Sequence, residues 1–420
     1  MFLLARLVEV GQAGVRVRRL GGKRAGEIRI TRFLRNARVT TAAMVATAAA
    51  RTAGLVAGRH VLAIQDTTSL RDDGAGHGLA LHPVIVCDAR DGALLGLMHA
   101  EVLARGEGVA AQRRQRPFED KQSRRWLAGA RAAAALIEAG AACVTVVGDR
   151  ESDLYEEFAL KPAGVELLIR AAQDRGVADG GRLFACTEGL PELGRITVEL
   201  AAAPGRPARQ AMLALRARTV VIARPKPRGA ASGLPREIEL TLVEAREVAP
   251  PAGTDAAHWR LLTTHRVASL ADAKLLVAFY RERWTIEQLF RTMKTKGFDI
   301  EAVRIAEAAP FEKLAVATLI AAVQVLQLVR DRDGAARRPL EDVFDPTDLP
   351  ALEAVCATLE GKTERQKNPH PTGSLAYAAW VCARLGGWTG YYGKPGPVVM
   401  LNGLAQFRAM AHGWNLGRLL

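Results

Sequence analysis

The sequence predicts a mixed α/β fold: a core sheet interrupted by a β-rich insertion, with helical N- and C-terminal regions. Three observations predict it. Apolar runs of strand length recur at 60–68, 81–88, 93–104, 141–147 and 165–171, with an alanine-rich helical stretch at 123–139 among them. The texture changes between 176 and 257, where Gly and Pro are frequent and β-branched or alternating runs take over. Helical patterning dominates 1–57, 269–294 and 310–330, and continues with Pro/Gly-rich breaks to residue 420.

The Arg-rich segment 1–57 is mostly helical in pattern, and within it TRFLRN puts Arg32 and Arg35 three apart, on one helical face. HVLAIQDTT at 60–68 is a strand that ends in an acid. Two further strands follow at 81–88 and 93–104, with Gly74, Gly76 and Gly78 marking a turn before them, so the three suggest a meander. A helix at 123–139, a strand at 141–147, a helix at 153–159 and a strand at 165–171 complete the first part of the core. The strand at 258–264 returns the chain from the insertion, and two long helices follow at 269–294 and 310–330. These changes set expected boundaries at 1–57, 58–175, 176–257, 258–330 and 331–420.

The chain has 420 residues, more than a single domain usually holds, so two or three folded units are expected. Lys and Arg number 58 against 44 Asp and Glu, a net charge of +14 that favours a polyanionic partner, nucleic acid or an anionic membrane surface. The longest apolar stretch, 314–329, is interrupted by Thr318, Gln324 and Gln327 and is short for a bilayer span, which argues against a membrane. Residues 1–20 have no sustained apolar core and no small-residue cleavage site, so no signal peptide is expected. The five cysteines are scattered without a CxxC pair, which argues against a zinc site or a disulfide framework and for a reducing cytoplasm.

Asp66, in IQDTTS, and Asp149, in VTVVGDRESD, each close an apolar strand, and strand ends at a sheet's rim commonly present functional groups. The alternative for each is a helix cap. In YRERWTIEQLFRTMK, Tyr280, Arg283, Glu287 and Lys294 stand at steps of three, four and seven, which share one stripe of a helix. The alternative there is a solvated face with Arg283 and Glu287 as an ion pair. Taken together, three carboxylates from two strand ends and a helix can hold two hard cations through oxygen. Two such ions about 4 Å apart clamp the attacking and leaving oxygens of an in-line phosphoryl displacement. Mg²⁺ suits such a site, and Arg283 and Lys294 beside it would bind phosphates.

These residues resemble a known family. The chain is similar to the DDE transposases of bacterial insertion sequences, in particular insertion sequence family four, which is marked by a Y-R-E-K signature around its catalytic glutamate. The resemblance rests on IQDTTSL at 64–70, VVGDRESDLYE at 146–156 and YRERWTIEQLFRTMK at 280–294. Supporting matches are TRFLRN at 31–36, RPFEDKQSRRWL at 116–127 and LGGWTGYYGKPGP at 385–397. The likeness runs from about residue 28 to about residue 408.

The resemblance implies a ribonuclease H-like core with Asp66, Asp149 and Glu287 as catalytic metal ligands for two Mg²⁺ ions, Mn²⁺ being able to substitute. It implies that Tyr280, Arg283 and Lys294 contact the DNA end around the scissile phosphate. Trp259, 21 residues before Tyr280, matches the family's stacking tryptophan, which would hold a flipped base; its alternative is a core position on the returning strand. Arg170, Arg304, Arg32 and Arg35 would contact DNA, Lys121 and Arg125 less clearly so. Residues 1–57 would bind the DNA end, 176–257 would be the family's insertion, and 331–420 would serve dimerisation. The expected partners are double-stranded DNA, as transposon-end inverted repeats and target, and a second copy of the chain on DNA. The expected location is the bacterial cytoplasm, at the nucleoid.

Two departures carry expectations of their own. The stretch before TRFLRN is shorter than is usual in the family, which bears on end recognition. Phe290 stands where some relatives have a histidine. Three readings follow: a cut-and-paste transposase, a ribonuclease H-like nuclease that cuts without joining, and an inactive relic or DNA-binding inhibitor.

Overall fold

The computed structural model describes residues 2–11, 14–71, 78–104, 121–200, 207–225, 233–295 and 297–417. In chain order the helices are α1 (Phe2–Val10), α2 (Val17–Gly21), α3 (Arg24–Arg35), α4 (Thr41–Ala53), α5 (Arg124–Glu138), α6 (Tyr155–Ala159), α7 (Leu270–Arg281), α8 (Trp284–Met293), α9 (Ala308–Asp331), α10 (Leu349–Leu359), α11 (Leu375–Leu385) and α12 (Pro397–Gly417). The strands are β1 (His60–Gln65), β2 (Thr68–Arg71), β3 (Leu79–Asp88), β4 (Leu94–Ala104), β5 (Cys143–Gly148), β6 (Val165–Arg170), β7 (Gly194–Leu200), β8 (Arg209–Ala223), β9 (Glu237–Glu247) and β10 (His258–Thr263). The fold is mixed α/β with helical N- and C-terminal regions. It resolves into two compact units.

One unit comprises Ala57–Asp66 and Gly106–Arg283. Its sheet runs β1-β5-β6-β10-β9-β8-β7. The pairs β1–β5 and β5–β6 are parallel; from β6 onward every pair is antiparallel. The parallel strands read as near-continuous apolar runs, such as Val144-Thr-Val-Val147, because both of their faces are buried. The alanine-rich α5 packs on β5, β1 and β6, burying Trp126, Leu127, Ala130, Ala133 and Leu136. The segment read as β-rich holds β7, β8 and β9; the alternating exposure of β7 marks an antiparallel strand wetted on one face, while β9 is buried through its middle.

The other unit comprises Met1–Val56, Thr67–Arg105 and Trp284–Leu420. Its centre is α9, buried along nearly its whole length and packed by α1, α3, α4, α8, α11, α12 and β4. Beside it β2, β3 and β4 form an antiparallel meander, with β3 buried at every position.

Three expectations change. The helix expected over 269–294 is two helices, α7 and α8, separated by a turn at Glu282 and Arg283. The antiparallel run β2–β4 includes the short strand β2, which the sequence does not separate from the strand expected at 60–68. The apolar stretch at 314–329 lies within a 24-residue helix that is long and apolar enough to cross a membrane, so length is no argument against a span. Its burial, 83% of that stretch, marks it as a core helix instead. Residues Gly74 and Gly76 of the expected turn, and 116–120 of the RPFEDK match, lie outside the described residues.

Candidate active site

The site begins with strand register. β1 and β5 are parallel neighbours, paired from His60↔Cys143 to Ile64↔Val147. Continuing that register by two residues sets Asp66 beside Asp149, both just past the carboxyl ends of their strands. Neighbouring strands lie about 4.8 Å apart, so the two residues follow adjacent strand ends at the sheet rim. Such a rim position in a parallel sheet is where ligands are commonly met.

Local structure fixes each acid. Beyond Gln65 the chain turns into β2, so Asp66 caps no helix. Its Oδ2 accepts from Arg283 Nη1 at 3.0 Å, and both side chains are only 15% exposed, so this contact is screened far less than a surface ion pair. Asp149 Oδ1 accepts from the Glu151 amide at 2.8 Å and caps the 3₁₀ turn Arg150–Ser152. The capping alternative therefore holds for Asp149, but it occupies one carboxylate oxygen. The turn depends on Gly148, where an added Cβ would meet the Ser152 Oγ at 2.5 Å.

Beneath the pair lies a buried carboxyl. Glu157 Oε1 accepts from Gln65 Nε2 at 3.0 Å and its Oε2 from Ser152 Oγ at 2.6 Å. Gln65 precedes Asp66 and Ser152 closes the Asp149 turn, so one side chain ties both acid-bearing segments together. Burial pushes Glu157 up to about 8, the two hydrogen bonds pulling the other way and the charges of Asp153 and Asp149 adding to the rise. Arg125 donates to Glu151 Oε2 at 2.8 Å. Burial lowers its pKa, and Glu151, Asp149 and Asp66 all oppose that shift, which places its guanidinium within electrostatic reach of the acid pair.

A cationic and aromatic flank adjoins the acids in the same unit. Arg170, at the end of β6, donates to the His258 carbonyl at 3.2 Å. Burial lowers its pKa; Tyr280 opposes this, while Arg150 and Arg283 add to it. Trp259 sits on β10, and its ring centroid is 6.1 Å from that of the buried Tyr280. The alternative for Trp259 is thus realised in part: it is a half-buried residue of the returning strand.

The remaining sequence candidates lie in the other unit. Glu287 is in the first turn of α8, where a negative charge is favoured by the helix dipole. Lys294 is one residue past the end of α8 and pairs with Glu301 at 2.8 Å. Tyr280, Arg283, Glu287 and Lys294 therefore do not share one continuous helical stripe. Arg304 and Arg32 are exposed, and Arg35 pairs with Glu307 at 2.7 Å.

The acid pair offers only hard oxygen donors, which fit Mg²⁺ or Mn²⁺ and not a thiophilic metal. Among the described residues no group of three or more His, Cys, Asp or Glu is gathered so as to hold a metal ion. Sequence reading missed Glu157, Glu151, Arg150 and Arg260. The signals present were the run of charges in DRESDLYEE and the polar His258 and Arg260 in an otherwise apolar strand.

Among known families, the profile described as the transposase DDE domain matches residues 111–324, just over half of the chain. The matched segment contains Asp149, Arg170, Trp259, Tyr280, Arg283, Glu287 and Lys294. Asp66 lies before it.

Proposed function

The chain belongs to the transposase DDE domain family, and on that footing we propose that it is a cut-and-paste transposase of the insertion sequence family four group. It cleaves the strand at transposon ends and joins the freed end to target DNA. The observation that carries this reading is the register that sets Asp66 beside Asp149 at the sheet rim, with Arg283 on Asp66.

In this reading Asp66, Asp149 and Glu287 hold two divalent ions, Mg²⁺ or Mn²⁺. Asp66 and Asp149 are supported by their setting; Glu287 is supported by the signature sequence. The ions, when bound, would activate the attacking hydroxyl and neutralise charge on the leaving oxygen. The chain's own residues do the rest. Arg283 neutralises Asp66 and is placed to turn its fork toward a phosphate. Glu157, bonded to Gln65 and Ser152, holds the two acid-bearing segments in register. Tyr280 orders Arg170, and Trp259 offers an aromatic face for a base. Lys294, Arg304, Arg32 and Arg35 are proposed to contact the DNA backbone. Processing two ends in one event calls for two active sites, so a homodimer on DNA is expected, with 1–57 reading the end and 331–420 in the dimer contact.

The test uses labelled duplex bearing the element's terminal repeat, incubated with Mg²⁺ or Mn²⁺, with wild type set against Glu287→Gln. Metal-dependent nicking plus joined product, both lost in the variant, is the expected result. Nicking without joining would replace the transposase reading by that of a nuclease, and binding without cleavage by that of an inhibitor.

A further inference from the structure

A second feature of the sheet-bearing unit lies outside the acid pair. A cleft of about 430 Å³ opens at the end of β6 and the start of β10, lined by Arg150, Arg170, Arg260, Phe184 and His258. Its volume is that of a small-ligand site, yet its walls are cationic. We infer that this cleft is a phosphate-binding subsite for a strand of DNA, in which Arg150 and Arg260 join Arg170, the one of the three that the family resemblance already assigns to DNA; the inference rests on the nucleic-acid reading above.

Three observations carry it. The first is charge without a counter-charge. Among the described residues none of these three arginines has a carboxylate partner. Glu244, which faces Arg260 across the β9–β10 ladder, is engaged by His258 at 2.8 Å and Arg216 at 3.6 Å. The second is unmet hydrogen bonding. Arg260 Nε is buried and, among the described residues, has no hydrogen-bond partner, so this guanidinium is left with unmet donor capacity. The third is preorganisation. The Arg260 guanidinium stacks over the Phe184 ring at 4.3 Å, and Arg170 is held by the His258 carbonyl, so both forks lose little freedom on binding. Planar forks held in this way match the oxygens of a phosphodiester.

The cleft's position gives it a role. Arg150 directly follows Asp149 in the chain, and Arg170 lies within electrostatic reach of Arg283, the residue on Asp66. A phosphate seated among the three belongs to a strand that runs past the acid pair. The subsite would thus set the distance between the reacting phosphate and a neighbouring one, without reading sequence.

The experiment measures binding of a fluorescently labelled duplex of arbitrary sequence to the full chain across a salt series, without metal. Wild type is compared with Arg150→Gln, Arg260→Gln and, as control, Arg218→Gln, whose guanidinium is already paired with Asp179. Removing one phosphate-binding arginine lowers the slope of log affinity against log salt by about one. The expected result is that drop for Arg150→Gln and Arg260→Gln and none for Arg218→Gln. Should Arg260→Gln not fold, the slope of the variant at the exposed Arg150 gives the answer. A wild-type slope in Arg150→Gln and Arg260→Gln overturns the subsite while leaving the transposase reading intact. Failure of the wild type to bind duplex at low salt removes both.

Discussion

Asp66 and Asp149 are two like charges on adjacent strands, an arrangement that costs free energy unless cations share the site. Arg283 at 3.0 Å from Asp66, and Arg125 within reach of both, supply part of that neutralisation. Glu157 contributes in another way, because as a buried carboxyl it carries its proton at neutral pH. A group whose folded pKa lies above its unfolded value stabilises the fold fully below the unfolded value and loses that contribution as pH rises through the folded one. For Glu157 the window runs from about 4.5 up to about 8. The melting temperature should therefore fall as pH rises through that window, and Glu157→Gln should flatten the fall while preserving both hydrogen-bonded neighbours. An unchanged pH dependence in Glu157→Gln would show that this carboxyl is not the group responsible. Asp66 and Asp149 are legible in the sequence because an acid closing an apolar strand has no core partner of its own. Glu157 is not, because a glutamate in a short helix resembles a surface residue until its neighbours are known.

Among the elements, α7 shows how the sequence holds Tyr280 in place. Ser269 and Asp272 form a reciprocal capping box at its start, and the buried Ala273, Leu276, Val277, Phe279 and Tyr280 pack it down. Ser269→Ala should cost about 1 kcal/mol of stability, read as a lower denaturation midpoint with the slope unchanged; no loss would mean the cap is not holding the helix. The helix then stops at Glu282, with no Gly or Pro to announce the stop, which is why the helical period of 269–294 reads as continuous. Strand identities are readable from apolar runs, whereas their pairing is not. That β5 lies beside β1 and not β4 is a tertiary fact, and it is this pairing that brings the two acids together. At Gly148 the reason is equally local: Ser152 fills the space a side chain would need.

For the whole molecule, the net charge of +14 points to a polyanion, and membership of the transposase DDE domain family makes that polyanion DNA. Charge itself carries no information about the fold or about where the cations gather. Arg150, Arg170 and Arg260 come from a 3₁₀ turn and the ends of two strands, and only the folded sheet puts them around one cleft. The apolar core is readable as composition, but the placing of α9 at the centre of its unit is not, since its length and apolarity also suit a membrane span. The proposed chemistry depends above all on Asp66 and Asp149 being metal ligands, and a metal switch at Asp149→Cys probes that role. Thiolate binds Mg²⁺ poorly and softer ions better, so strand cleavage should be lost in Mg²⁺, by about a hundredfold or more, and partly restored in Mn²⁺. Full cleavage by Asp149→Cys in Mg²⁺, or a loss that no metal alters, would contradict the assignment.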